Sequence, residues 1–350
     1  MMSARFLTVV LERAFNMRDG FGREIDYMRI SVIDSCNLNC YYCNPCDNNE
    51  HCHALNILSV KEVLCIVRAA TRLGIKHFRL TGGEPLLHPQ LDEMVLQIKK
   101  IPGVSSVSLT TNAVLLAQHA KWLKEAGIDS INVSLDTIDA SEYERITKKP
   151  LLEEVKHGIN AAIECGIRVK INVVLTPQTD VVALTRYVAK KGTDIRFIEM
   201  MPVGEGHTNG VEPYKKVIGT LSKLYGEPCR INTEKTKEIN SGNDKRKIPD
   251  NGPAEYYIFP ELGIRVGLIQ AIHGKFCATC NRIRVTADGR LMPCLGSSVT
   301  MDLVPDSWDF ADDVEKDFAI VRALRAAIKA KPRCHNFNDN AVTYTKTTET

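Results

Sequence analysis

The 350-residue sequence predicts an α/β fold, an incomplete (β/α)6 barrel of the TIM type followed by a C-terminal module. Three observations predict it. Short β-branched runs alternate with amphipathic stretches from residue 27 to about 200, at a spacing that builds a parallel sheet. Thr81, Thr110, Ser134 and Met201 lie at or just past strand ends in several different units, which suits a barrel mouth better than the single crevice of a doubly wound sheet. After Pro202 the alternation weakens, dividing the chain into residues 1–202 and 203–350.

The predicted strands are Tyr27 to Ile33, Lys76 to Leu80, Ser105 to Leu109, Ser130 to Ser134, Arg168 to Leu175 and Asp194 to Glu199. Helices fall between them. Ser59-Val60-Lys61-Glu62 reads as a capping box ahead of Val63, Leu64 and Val67, with Gly74 as the stop, and Gly127 and Gly166 close the helices before the fourth and fifth strands. Arg230 to Gly252 is polar and contributes no core. Order returns with Glu255 to Phe259, Gly263 to Ala271 and a hairpin whose arms, Arg282 to Thr286 and Arg290 to Pro293, meet through Asp288-Gly289. Asp312 to Lys329 reads as a helix, and the tail from Pro332 as a segment tied down by contacts.

With 44% hydrophobic and 25% charged residues, disordered and fibrous classes are excluded. Lys+Arg 45 against Asp+Glu 42 leaves +3, so no nucleic acid polymer is expected as a partner, and any anion site must be local. The N-terminal apolar run Phe6 to Leu11 ends at Glu12 and Arg13, too short for a secretion signal or a membrane span. A cytoplasmic protein is expected, with no membrane partner. Against that background 12 cysteines stand out, because cytosolic thiols stay reduced and point to metal or redox chemistry. Cys65, Cys165, Cys229 and Cys334 read as small buried hydrophobes.

Two groups remain. Cys36, Cys40 and Cys43 form C-x3-C-x2-C directly after the first strand, and Cys277, Cys280 and Cys294 form a second set of three. A four-cysteine zinc or closed ferredoxin-like centre would recruit Cys46, and a zinc ribbon would pair Cys43/Cys46 with Cys277/Cys280 but leave three cysteines over. Two open-sited 4Fe-4S clusters use all six. His51-Cys52-His53 offers no fourth partner at a metal spacing and reads as solvated; His273 is left open as a neighbour of the second group.

The C-x3-C-x2-C loop with Tyr42 before its last cysteine, followed by Thr81-Gly82-Gly83-Glu84-Pro85, resembles the radical S-adenosylmethionine (SAM) superfamily. Within it, Gly263-Ile264-Arg265-Val266-Gly267 and the run Phe276-Cys277-Ala278-Thr279-Cys280-Asn281-Arg282-Ile283-Arg284, continuing to Cys294-Leu295, are similar to the GTP 3′,8-cyclase family of molybdenum cofactor biosynthesis. Arg196-Phe197-Ile198-Glu199-Met200-Met201-Pro202 adds to the likeness.

The resemblance implies a lyase with two 4Fe-4S clusters that uses SAM to cyclise GTP. Cys36, Cys40 and Cys43 match the ligands of the SAM cluster, and Tyr42, Gly83, Ser134 and Met201 match SAM contacts. Arg29, Arg79, Thr110, Lys170, Arg282 and Arg284 match the substrate set. Cys277, Cys280 and Cys294 match the second cluster, whose open iron meets the guanine base. An external electron donor and a downstream enzyme of the molybdopterin pathway are further implied partners, and pairing as a homodimer is left open. Departures are Ser35 and Asn39, where the family carries basic residues, Asn44, where it carries Met, and Thr347-Thr348-Glu349-Thr350, where it ends in Gly-Gly. They keep a rival reading in view, a related radical enzyme acting on another nucleoside or on a peptide.

Overall fold

The structure is a computed structural model that describes residues 17–43, 56–203, 206–207, 210–231, 252–297, 299–303 and 313–337. The expected strand and helix units form. β1 (Tyr27–Ser31) leads through the cysteine loop to α1 (Val60–Arg72), and β2 (His77–Thr81) leads to α2 (Leu91–Lys99). β3 (Ser106–Thr111) is followed by α3 (Leu116–Glu125), and β4 (Ser130–Ser134) by two helices, α4 (Ala140–Thr147) and α5 (Leu152–Glu164). β5 (Val169–Leu175), α6 (Val181–Lys190) and β6 (Asp194–Glu199) complete the series. Beyond α7 (Gly219–Tyr225) come β7 (Cys229–Arg230), β8 (Glu255–Ile258), β9 (Arg265–Ile269), β10 (Arg282–Val285), β11 (Arg290–Met292) and β12 (Met301–Asp302). α8 (Asp313–Lys329) closes the fold.

Local chemistry explains individual ends. Ser59 Oγ accepts from the Glu62 amide at 3.3 Å while Glu62 Oε2 accepts from the Ser59 amide at 2.7 Å, so the predicted capping box starts α1. Such a cap is worth about 1 kcal/mol. At the other end Gly74 takes φ +85°, the left-handed turn that lets the chain re-enter the sheet.

Among the described residues all strands belong to one sheet, ordered β12-β11-β10-β1-β2-β3-β4-β5-β6-β9-β8-β7. β10 runs parallel to β1, with Tyr27 opposite Arg282, and β9 runs parallel to β6, with Ile195 opposite Val266. The chain beyond residue 202 therefore extends both edges of the six-strand run rather than forming a separate layer.

The two faces of the sheet differ. Met28, Ile30, Phe78, Leu80, Val133 and Phe197 are 0% exposed on the face that the helices cover. Burying each such side chain contributes roughly 1.5–3 kcal/mol. At the alternating positions stand Arg29, Arg79, Asn132, Asn172, Arg196 and Arg282. Because five of these, all but Asn132, line one cavity, the sheet curls around this polar face as an open barrel.

α8 packs against α1, with Arg72 Nη2 and Asp317 Oδ2 2.7 Å apart. The chain after it folds back as expected: His335 Nε2 lies 2.8 Å from Ala271 O, and the His335 and Phe337 rings pack beside Gly296. Of the cysteines expected to be buried, Cys65 is buried and Cys165 half-buried, whereas Cys229 and Cys334 are exposed. Cys229 stands on the outermost strand and Cys334 in the turn after α8, where no described element covers them. Cys46, His51, Cys52, His53 and Thr347 to Thr350 lie outside the described residues. No described helix is long and apolar enough to cross a membrane.

Candidate active site

The first cysteine group occupies the loop leaving the C-terminal end of β1. Its neighbour is the Gly-Gly-Glu-Pro turn. A Cβ on Gly83 would stand 2.2 Å from Ser35 O, and one on Gly82 2.5 Å from Ile33 O, so the glycines are required for the two loops to touch. The Gly83 and Glu84 amides donate to Ile33 O and Ser35 O, both at 2.7 Å. Glu84, 1% exposed, then ties this turn to the end of β3: Oε1 accepts from Thr111 Oγ1 at 2.6 Å and Oε2 from the Asn112 amide at 2.7 Å. Asn112 Nδ2 in turn donates to Asn37 Oδ1 at 2.8 Å, inside the cysteine loop. The segment thus seats the cysteine-bearing loop.

The environment of this group is anionic. Asp136, past the end of β4, accepts from Tyr42 Oη at 2.5 Å and from the Val174 amide at 2.7 Å, and burial pushes its carboxyl up to about 6. Burial, then the Asp136 charge and the neighbouring Cys43 and Cys36, push the Cys40 thiol up to about 12. Cys43, though on an exposed turn, is raised by burial of its thiol and by Asp136.

The second group lies at the other end of the strands. Cys277 and Cys280 form a turn immediately before β10, with the Cys280 amide donating to Cys277 O at 3.2 Å. β11 runs antiparallel to β10 with Met292 opposite Arg284, which brings the segment of Cys294 level with Arg282. Here the surroundings are cationic. Burial alone would raise the Cys280 thiol, but Arg282 and Lys331 bring it down to about 7. His273 turns away to pair with Glu199.

Between the groups run two adjoining cavities. One, about 210 Å³, is lined by Arg29, Arg79, Thr110, Ser134 and Arg282 of the predicted set, together with Arg196 and Asp136. The other, about 260 Å³, is lined by Tyr42, Cys43 and Met201 and also by Leu295, the residue after Cys294. Val174 and Ile198 border both, so the two cavities adjoin as one lumen that Cys43 lines directly and that reaches the second group through its neighbours Arg282 and Leu295. Gly83 lines neither cavity. Arg284 stands opposite Arg29 across the β1–β10 pair, and Lys170 is buried beneath the Tyr256 ring at 5.9 Å rather than among the lining residues. A larger cavity, about 500 Å³, lies on the surface of α8 around Phe318 and touches none of these side chains.

Positive charge collects in and around the lumen. Burial and then the like charges of Arg284, Arg79 and Arg282 hold the Arg29 guanidinium well below its ordinary range. Arg29 Nε, Arg282 Nε and Tyr27 Oη are buried without a hydrogen-bond partner among the described residues. Arg196, 3% exposed, was not singled out from the sequence; its Nε donates to Asn172 Oδ1 at 2.9 Å and its Nη2 to Asn132 Oδ1. An arginine on the lumen face of a strand, two residues after Asp194, is the signal that would have found it. Three free thiols at each end fit a cluster with one open iron, since a structural zinc takes four protein ligands. Among the described residues no three Cys, His, Asp or Glu side chains converge on a single ion.

Residues 30–183 match the Radical SAM superfamily and residues 193–337 match Molybdenum Cofactor Synthesis C. Solved structures agree at the level of the fold: Streptococcus suis SuiB bound to S-adenosylmethionine superposes with TM-score 0.52 at 16% identity, over 86% of this chain and 68% of that one. The complex of SuiB with precursor peptide SuiA gives TM-score 0.56 at 15% identity, over 92% and 69%. The fold and the cysteine loop thus define a radical SAM protein. GTP 3′,8-cyclase of Clostridium perfringens is 35% identical over 324 residues, 92% of this chain and 95% of that protein. The enzyme of the same name from Peptoclostridium acidaminophilum is 37% identical, over 92% and 94%. The chain belongs to the GTP 3′,8-cyclase family.

Proposed function

We propose that this chain converts GTP to (8S)-3′,8-cyclo-7,8-dihydroguanosine 5′-triphosphate, the first step of molybdenum cofactor biosynthesis. The observation that carries the reading is the pair of buried arginine donors, on Arg29 and Arg282, in a cationic lumen beside two groups of three thiols. These N–H donors have no acceptors among the described residues, and a triphosphate supplies both acceptors and negative charge.

Cys36, Cys40 and Cys43 would hold one 4Fe-4S cluster, and Tyr42, Gly83, Ser134 and Met201 would seat SAM. Cys277, Cys280 and Cys294 would hold a second 4Fe-4S cluster, whose open iron would supply a site for the guanine base. Arg29, Arg79, Thr110 and Arg282, with Arg196 added to the set, orient GTP from the cavity wall, and Lys170 and Arg284 add positive charge from behind it. When bound and reduced by an external donor, the first cluster and SAM supply a carbon radical able to abstract hydrogen from the ribose. The chain's own contribution is positional. Its arginines fix the triphosphate between the groups, the curled sheet excludes water, and Asp136 holds the Tyr42 hydroxyl at the boundary of the two cavities. Residues 1–202 serve the SAM end of the lumen and 203–350 the base end. The product passes to a downstream enzyme of the molybdopterin pathway. Six thiols kept reduced for cluster assembly fit a cytoplasmic setting.

The test is anaerobic incubation of the reconstituted, reduced chain with SAM, with and without GTP. GTP-dependent formation of 5′-deoxyadenosine together with the cyclised nucleotide is expected. Absence of both GTP binding and GTP-dependent SAM consumption would contradict the reading and favour the rival radical enzyme.

A further inference from the structure

Lys331, just past α8, is only 3% exposed. Its ammonium sits where two cysteine-bearing segments meet. Nζ donates to Arg282 O at 2.8 Å and to Pro293 O at 3.0 Å, and it also hydrogen-bonds the Cys280 side chain. The first carbonyl lies two residues past Cys280, the second one residue before Cys294.

Arg23 makes the matching clamp on the remaining segment. Its Nη1 donates to Cys277 O at 2.7 Å and its Nη2 to Pro332 O at 2.6 Å. The two cations differ in what neutralises them. Arg23 has a carboxylate of its own, with Nε 2.5 Å from Asp19 Oδ2. Among the described residues, the partners of Lys331 are two carbonyls and a thiol.

A lysine is almost never fully buried without a counterion, because desolvating an unpaired ammonium costs several kcal/mol, on the order of the whole stability of a small domain. An alkyl side chain would fill the same space without that cost. Ligating thiols are deprotonated, so three cysteines on one cluster bring the negative charge this position lacks. Net charge and hydrogen bonds to sulfur are also the levers that set a cluster's reduction potential.

We propose that Lys331 is the countercharge of the second cluster, a positioning residue that joins the Cys280 and Cys294 segments and makes the cluster easier to reduce than its three thiolates alone would allow. The inference rests on the two-cluster reading above. Lys331 is separated from Cys334 and His335 by only a few residues, yet neither of these reaches the cysteine group: Cys334 is exposed and His335 faces Ala271 O. Arg282 also acts on Cys280, so the lysine's share is read by changing Lys331 alone.

The experiment uses the full chain carrying Cys36→Ala, Cys40→Ala and Cys43→Ala, in which only the second cluster gives a signal. Into it Lys331→Met and Lys331→Arg are introduced, and folding of the metal-free chains, iron content and the midpoint potential followed by electron paramagnetic resonance are measured. Lys331→Met should fold as the parent does and become about tenfold harder to reduce, which is about 59 mV for a one-electron couple. Lys331→Arg, which keeps the charge, should recover most of that shift. An unchanged potential in Lys331→Met would overturn the proposal. Should Lys331→Met fail to fold or take up no iron, Lys331→Arg decides: retention of the cluster supports a charge requirement, and equal failure overturns it. No iron in the parent triple variant would overturn the two-cluster reading itself, and the inference with it.

Discussion

The two cysteine groups carry the same ligand chemistry in opposite electrostatic settings. The first is held by glycines and carboxylates: Gly82 and Gly83 admit the loop, Glu84 anchors it, and Asp136 faces it. The second is held by buried cations, Arg23 and Lys331, with Arg282 alongside. The difference teaches that thiol count alone does not define such a site. At one end of the lumen thiolates are resisted until something compensates them, with Cys40 near 12; at the other they are drawn out, with Cys280 near 7. That fits two centres with separate tasks, one meeting a zwitterion and one closing a pocket for a polyanion.

The comparison breaks most completely by deleting a ligand at each end. Cys36→Ala should abolish reductive cleavage of SAM, whereas Cys277→Ala should retain uncoupled cleavage while losing product. Measuring methionine, 5′-deoxyadenosine and cyclised nucleotide separately decides this. Equal and complete loss of SAM cleavage in both variants, with the first cluster assembled in the Cys277 variant, would contradict the division.

In the metal-free chain, thiolate chemistry separates the ends directly. Iodoacetamide labelling of Cys280 should rise through pH 7 and level off by about pH 8, while Cys40 stays largely protonated and labels at least about a hundredfold more slowly at pH 7.5. Peptide mass spectrometry across a pH series reads both. In Asp136→Asn, Cys40 should label faster at a given pH because one charge opposing its thiolate is gone. Similar rates at both cysteines would erase the contrast.

Arg282→Ala should weaken GTP binding by roughly tenfold to a hundredfold, since a charged hydrogen bond is worth about 1.5–3 kcal/mol, and should leave SAM affinity nearly unchanged. Calorimetry with each ligand checks the asymmetry. A smaller effect is expected from Glu84→Ala, which leaves the Thr111 hydroxyl and the Asn112 amide without their acceptor; a loss of about 1–3 kcal/mol in unfolding free energy should accompany lower iron in the first group only. Equal iron loss at both groups would show that Glu84 supports the barrel as a whole.

Much of this was legible in the sequence. The six strands follow β-branched runs, and the capping box at Ser59 marks the start of α1 to the residue. What local pattern does not contain is pairing between distant segments. β9 and β10 were readable as strands, but their parallel placement beside β6 and β1 depends on contacts across hundreds of residues, so they read as a separate module. The same limit hid Lys331 and Arg23, which look like ordinary surface cations until the chain after α8 returns under the second group. Arg196 was overlooked for another reason: its neighbours Ile195 and Phe197 make the strand read as buried, while alternation turns Arg196 to the polar lumen.

The central claim is that the two groups hold separate open-sited clusters at opposite ends of one lumen. The most direct measurement is anaerobic reconstitution of the full chain and of the two triple cysteine-to-alanine variants, with metal analysis and electron paramagnetic resonance in the presence of SAM or GTP. The account predicts about eight irons per chain and about four in each variant, with SAM perturbing only the signal from Cys36, Cys40 and Cys43 and GTP only the signal from Cys277, Cys280 and Cys294. Stoichiometric zinc in place of iron at either group, or a GTP response that survives removal of the second group, would contradict it.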